Sequence, residues 1–325
     1  MAAAARRYGG VDIDAVKHEL EQRIAYWLAE GGQDQLSLAM RAAALGAGKR
    51  MRPLLMMLVA RDLGCSSPAL VDVACAVELV HAASLILDDL PCMDNARLRR
   101  GQPTIHIRFG EDVAILAAIA LLSRAFHVLA AAEHIAPAAR ARLAARMAET
   151  IGAQGLVKGQ FLDLRAPMRT AAEIEKTNEL KTGVLLGVAV DMAAIIAETD
   201  ECVAQSLRDF AVAAGHAFQL RDDFLDLPGM DSALTGKDTG LDLGKATLID
   251  TLGAEQARAR LAVHLVDADR HLTAALGKGQ GGQHTRLFVA GLFRKAHGHT
   301  GPAPADGSAF MPARAEPHPG AVRSA

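Results

Sequence analysis

The chain predicts an all-α fold, and three observations carry that prediction. Hydrophobic residues make up 51% of the 325 positions while aromatics make up only 4%. The apolar content is mostly Ala, Leu and Val, and Ala and Leu are strong helix formers. Apolar residues also recur at helical period, as in Val16, Leu20, Ile24 and Leu28. Finally, Asn-Gly turns between alternating runs, the usual hairpin signal, are missing. Length alone leaves one large domain or two ordinary ones open.

Taken in order, residues 1–10 are expected to be disordered and 11–30 to form an amphipathic surface helix. Residues 31–34 turn, and a helix over 36–45 ends at the glycines of GAGKRMRP, where Lys49, Arg50 and Arg52 cluster. The stretch 53–63 is apolar and helical. A long helix over 69–87 then delivers Asp88, with His81 two turns back on roughly the same face. Further helices are expected over 112–132 and 138–152, the latter with Pro137 near its start. In GLVKGQFLDL, Gln160 and Asp163 stand three apart on an otherwise apolar turn. Unpaired polar groups facing a core are costly, so this pair is expected to point at a cavity or its waters. Thr170, with Glu173 three residues on, predicts an N-cap for a helix over 171–181. Gly183 is expected to loosen that helix. Core residues 185–197 and a helix over 201–226 follow, then a loop-rich 228–244 bracketed by Lys237 and Lys245. Helices are expected over 248–276 and 283–296. The Pro-, Gly- and Ala-rich tail from Gly298 is expected to be disordered.

Several classes are excluded. A net charge of −2 and a pI near 6.6 give no footprint for nucleic acid. Cys65, Cys75, Cys92 and Cys202 lack metal-ligand spacing and read as reduced thiols of a cytoplasmic protein. MAAAARRYGG lacks the apolar core of a signal peptide. The most hydrophobic stretches, 113–122 and 183–197, are expected to be buried helices shorter than the ~18–20 clean apolar residues of a membrane span.

Chemistry concentrates in two acidic clusters. Residues 88–101 read DDLPCMDNARLRRG. On an unbroken helix Asp88 and Asp94 would lie about 240° apart and could not share a ligand. Pro91 bars a regular helix from continuing, so the frayed end can fold Asp94 back towards Asp88. Three carboxylates with Arg99 and Arg100 suit a hard, oxygen-bound cation and the phosphates it neutralises. The second cluster, QLRDDFLD, places Gln219, Asp222, Asp223 and Asp226 at spacings of three and four, which is one helix face. Like charges kept at those spacings with no compensating Lys imply a cation. Together the clusters predict Mg²⁺ gripping a diphosphate between facing walls.

DDLPCMD…LRRG and QLRDDFLD resemble the first and second aspartate-rich motifs of the trans-isoprenyl diphosphate synthases. GAGKRMRP (46–53), ELVH (78–81), GLVKGQFLDL (155–164), KTG (181–183) and TGKDTGLDLGKATL (235–248) match that family's remaining signatures. The resemblance covers about residues 15–297 and is closest to bacterial geranylgeranyl diphosphate synthases of carotenoid pathways. It implies a single synthase domain over 11–297, a bundle of roughly ten to thirteen helices around a deep cavity. It further implies a homodimer and about three Mg²⁺ per site. The implied reaction is 1′–4 condensation of isopentenyl diphosphate with dimethylallyl, geranyl and farnesyl diphosphates.

By the same resemblance, Asp88, Asp94 and Asp222 hold the metal, supported by Asp89, Asp223 and Asp226. Arg99, Lys181, Lys237 and Lys245 hold the allylic diphosphate. Lys49, Arg52, His81 and Arg100 hold the homoallylic one, and Thr182 and Gln219 stabilise the cation. Asn95, Ala96 and Arg97 stand where many relatives carry further acids. Product length is expected to be set about one turn before Asp88, at Ala83 and Ser84. Both are small, which implies a C20 product with a floor around Leu79 and Val80. The alternatives are a C15 farnesyl synthase, a terpene cyclase, which usually lacks the DDFLD pattern, and a non-catalytic subunit, which is expected to lose a motif.

Overall fold

In the computed structural model the described residues are 7–8, 10–29, 31–165, 170–225, 247–278 and 281–294. Among them are twelve helices of eight residues or more. The first are α1 (Ile13–Trp27), α2 (Gln35–Leu45), α3 (Met51–Asp62) and α4 (Leu70–Asp88). Then come the short α5 (Ile105–Phe109), α6 (Glu111–Ala131), α7 (Pro137–Ile151), α8 (Leu156–Arg165) and α9 (Ala171–Asn178). A π-helical turn, Glu179–Gly183, leads into α10 (Val184–Ile196), and α11 spans Glu201–Leu225. The series closes with α12 (Leu248–Leu252), α13 (Ala254–Leu276) and α14 (Gln283–Arg294). The expected helix over 248–276 is two helices, because Gly253 takes φ +81 and ends the first.

Three helices are apolar almost all round and therefore sit inside. Pro53–Ala60 of α3, Leu70–Val80 of α4 and Leu185–Ile195 of α10, Gly187 apart, are essentially all buried. α3 packs on α4 and α10; α6 lies along α4; α13 lies along α11; α7 and α11 flank α10. The capped starts are those the sequence marks. Asp12 and Asp34 accept from the first turns of α1 and α2, and Thr170 and Glu173 form a capping box on α9.

Two departures are small. Arg7–Tyr8 pair antiparallel with Val11–Asp12, inside the stretch expected to be disordered, and Leu98–Arg99 pair with Gln102–Pro103. The remaining positions of that N-terminal stretch, and the tail from residue 298, lie outside the described residues. Contrary to expectation, two helices are long and apolar enough to span a membrane by length and composition: α4 and α6. They pack against each other within the bundle, and α4 is buried there.

The last helix is held by one carboxylate. Asp62, at the end of α3, accepts from Thr285 N and Oγ1 at 2.9 and 2.6 Å and meets His284 Nδ1 at 2.7 Å. Its side chain is 3% exposed, so these bonds compensate a buried charge as well as capping α14. Asp62→Ala is expected to cost about 2–3 kcal/mol in denaturant unfolding, with hydrogen exchange accelerated first in residues 283–294. Uniform acceleration would show that α14 is not a separately latched element.

Candidate active site

Four helix ends meet at the site: the C-terminal parts of α4 and α11 and the starts of α3 and α10. The first wall is the end of α4. Pro91 stops the helix, and the chain doubles back so that Asp94 N donates to the Asp88 carbonyl at 2.9 Å. The expected fold-back of Asp94 is therefore present, with Asn95 in the left-handed region at φ +50 to make the turn. Burial pushes the Asp88 carboxyl up to about 6; the charge of Lys181 opposes that shift and the charge of Asp94 adds to it.

Asp89 does something the sequence did not suggest. Its carboxylate, 3% exposed, is clasped by Arg99 through Nε at 2.9 Å and Nη2 at 2.6 Å. Burial raises the Asp89 carboxyl and the Arg99 bonds hold it down. In this state the bidentate pair closes the aspartate loop onto the hairpin carrying Arg99. His106 stands close by, buried, with Nδ1 3.1 Å from the Thr104 hydroxyl, which donates to the Ala96 carbonyl. PTIH was not singled out in the sequence, and nothing in its spacing marks it.

The centre of the site is the π-helical turn. Its wider winding presents Lys181 and Thr182 to opposite sides. Lys181 Nζ reaches Asp163 Oδ2 at 2.8 Å and lies 3.8 Å from Asp94 Oδ2. Thr182 Oγ1 donates to Gln219 Oε1 at 3.3 Å, and Gln219 Nε2 donates to Asp223 Oδ1 at 2.9 Å. The turn thus joins the first acidic cluster to the second. Two glycines let it sit there. A Cβ on Gly159 of α8 would collide with the Lys181 nitrogen and lie 2.6 Å from the Leu180 carbonyl carbon. One on Gly215 of α11 would lie 3.3 Å from Gly183 Cα. Gln160 and Asp163, predicted to face a cavity, split: Asp163 pairs with Lys181, while Gln160 Nε2 contacts Met93 Sδ and its buried Oε1 has no partner.

On the second wall Asp222, Asp223 and Gln219 are half-buried on one face of α11. Arg221, unassigned from the sequence, is buried with Nη1 3.7 Å from Asp222 Oδ1. Asp226, Lys237 and Lys245 lie outside the described residues.

The basic side of the site is built by the loop before α3. Arg52 Nη1 lies 3.3 Å from His81 Nε2, and both Arg52 Nε and His81 Nδ1 are buried without a partner. Burial, with Arg52 and Arg100 beside it, holds His81 well below the usual imidazole range, so the ring is neutral. Arg100 Nη1 donates to the Ala47 carbonyl at 2.6 Å, and Lys49 is exposed. Arg52, His81 and Arg100 therefore stand together on this side of the site.

Residues 33–271 match the polyprenyl synthetase family. The chain belongs to that family. It is 46% identical over 303 residues to a geranylgeranyl diphosphate synthase of Pantoea ananas, covering 91% of this chain and 98% of the relative. It is 48% identical over 273 residues to one of Pseudescherichia vulneris, covering 82% and 88%. The fold superposes on a FPP/GFPP synthase from Zymomonas mobilis with a TM-score of 0.74 at 32% identity, covering 85% of this chain and 97% of that one.

The donor set fits Mg²⁺. All candidate ligands are carboxylate oxygens, and Asp88, hard to ionise in the folded chain, gains most from a divalent cation. Among the described residues no three acidic, His or Cys side chains converge into a ready-made cage.

The Asp88 shift sets a pH dependence. An unfolded Asp titrates near 3.9 and the folded one near 6, so between them the folded chain keeps a proton the unfolded chain has lost. Metal-free protein therefore loses stability as pH rises through that window. Asp88→Asn is expected to melt above wild type at about pH 7.5 in EDTA, with the gain vanishing towards about pH 4. A gain that does not change with pH would contradict this.

Proposed function

We propose that this chain is a Mg²⁺-dependent geranylgeranyl diphosphate synthase that extends dimethylallyl, geranyl and farnesyl diphosphates with isopentenyl diphosphate. The observation that carries the reading is the π-helical turn, whose Lys181 contacts the first acidic wall while Thr182 contacts the second. The identity to synthases of that name supports the substrate class.

When bound at Asp88, Asp94 and Asp222, Mg²⁺, about three ions per site, supplies counter-charge to the departing diphosphate. Lys181 and Arg99, with Lys237 and Lys245, hold the allylic diphosphate. Arg99 reaches it from its clasp on Asp89, which makes Asp89 a positioning residue. Lys49, Arg52, His81 and Arg100 hold isopentenyl diphosphate, and the orphaned Arg52 Nε and His81 Nδ1 point to that ligand. The C1–O bond breaks heterolytically and the electron pair leaves with the diphosphate. The Thr182 hydroxyl and Gln219 amide oxygens face the allylic cation. The isopentenyl double bond attacks C1, and the proton lost from C2 passes to the released diphosphate. Asp223 orients Gln219 through the 2.9 Å bond, and Asp223 and Asp226 support Asp222 at the metal.

Product length is read from α4. Ala83 is fully buried five residues before Asp88, and the Ser84 hydroxyl turns back onto the His81 carbonyl at 2.9 Å. Neither side chain has the bulk to stop a C15 chain. Leu79 and Val80, fully buried about one turn deeper, are the floor.

One synthase domain over 11–297, working as a cytoplasmic homodimer, completes the proposal. Ile115, Leu116 and Ile119 are exposed on α6, an apolar face of the kind subunits cover. The four cysteines are free thiols.

Chromatography of products from labelled isopentenyl diphosphate with each allylic starter tests the proposal, and mainly C20 is expected. Ala83→Tyr is expected to shift the product to C15 while the first condensation continues. A variant still making mostly C20, or a wild type stopping at C15, would overturn the length assignment.

A further inference from the structure

The Glu78 carboxylate, 3% exposed, lies beneath the basic side of the site and has no role in the mechanism above. We propose that Glu78 is the resident counter-charge of the Arg52–Arg100 cation pair, fastened by Arg50, and holds the pocket assembled until a diphosphate takes over that role. The inference rests on the reading of this pocket as the isopentenyl diphosphate site.

Arg50 is the fastening. It sits in the left-handed region at φ +51, a conformation unfavourable for an L-residue unless contacts impose it. Those contacts are present: Nη1 donates to Glu78 Oε1 at 2.7 Å, Nη2 to the Gly46 carbonyl at 2.8 Å and Nε to Glu21 at 3.2 Å. Like Glu78 it is 3% exposed. Two rungs therefore tie the loop to α4. Arg50 meets Glu78, and two residues later Arg52 meets His81, three residues along α4 from Glu78.

The cations are crowded. Arg100 arrives from the aspartate loop so closely that a Cβ on Gly48 would lie 2.6 Å from its Nη1. Loss of hydration pushes both the half-buried Arg52 and the more exposed Arg100 below their ordinary range, and in each case Glu78 is the foremost charge opposing that push. Three guanidiniums, those of Arg50, Arg52 and Arg100, gathered without an anion repel one another, and a buried carboxylate relieves that repulsion. The same carboxylate repels an incoming diphosphate. Glu78 thus stabilises the empty pocket at the expense of anion affinity, which separates it from a residue that only packs the loop.

The test is calorimetric titration of the full chain with inorganic diphosphate in EDTA, alongside thermal melts. Wild type is expected to bind, and Lys49→Ala to bind more weakly. Glu78→Gln keeps an acceptor for Arg50 and removes the charge. It is expected to melt below wild type without diphosphate, to recover most of the deficit at saturation, and to bind diphosphate about five-fold more tightly. Arg50→Met, which unfastens the loop and leaves Glu78 charged, is expected to bind more weakly. Opposite directions for the two variants support the proposal. Weaker binding by both overturns it, because a packing role would act that way. Asp191→Asn is the control, since Asp191 is also a buried carboxylate paired with two arginines, Arg146 and Arg208. It lies ten residues beyond Lys181, about 15 Å along α10. Its melt is expected to fall with diphosphate affinity unchanged; tightening there as well overturns the proposal. If Glu78→Gln folds only in saturating diphosphate the proposal stands, and if it folds in neither condition the proposal fails. Unchanged affinity in Lys49→Ala would sink the pocket assignment itself, and this inference with it.

Discussion

The site depends on one cation placed against the first of two acidic walls. Lys181 is ion-paired with Asp163 and lies within reach of Asp94, and its field is the largest force opposing the burial that raises Asp88. Without it the main cation left on Asp88 among the described residues would be Arg99, which Asp89 already engages. The carboxylate cluster would then neutralise itself by taking up protons and lose its use as a metal site. The π-helical turn is what allows one residue to do this, because Thr182, its neighbour, simultaneously reaches Gln219 on the opposite wall.

That turn explains why small residues surround it. α8 approaches the backbone of 180–183 too closely for a side chain at Gly159, and α11 leaves only a tight fit for one at Gly215. The same close approach carries Asp163 to Lys181 and Gln219 to Thr182. Packing and chemistry are coupled here, since widening either helix contact would pull a polar partner away. The basic side follows a similar logic, with Gly48 leaving room for Arg100 and a strained Arg50 pinned by buried contacts. Strain at such a position persists only where its surroundings over-determine it.

Much of this was legible in the sequence, for physical reasons. Helical period and strong formers located the helices, and Pro91 with flanking aspartates foretold that Asp94 returns to Asp88. Spacings of three and four placed Gln219 beside Asp223 on one face. What stayed hidden is long-range pairing. Asp89 and Arg99 looked like independent ligands, because nothing in a linear motif shows that one clasps the other. Asp163 and Lys181 lie in separate motifs and meet only through a glycine contact between helices. The π-turn showed itself only as Gly183 in a helical stretch, and a lone glycine at 253 does not by itself reveal the left-handed backbone that divides the stretch 248–276. Glu78 was visible within ELVH, but its burial beneath three arginines depends on the loop's left-handed turn.

The claim at the centre is that two facing carboxylate walls act on one diphosphate, so the wall without Lys181 must matter as much as the wall with it. The most direct measurement is the turnover of Asp222→Asn in saturating Mg²⁺ and both substrates, with isopentenyl diphosphate affinity measured in parallel. Turnover is expected to fall by several orders of magnitude while that affinity stays close to wild type, because only the departing diphosphate loses its counter-charge. Near-normal turnover would contradict the two-wall account.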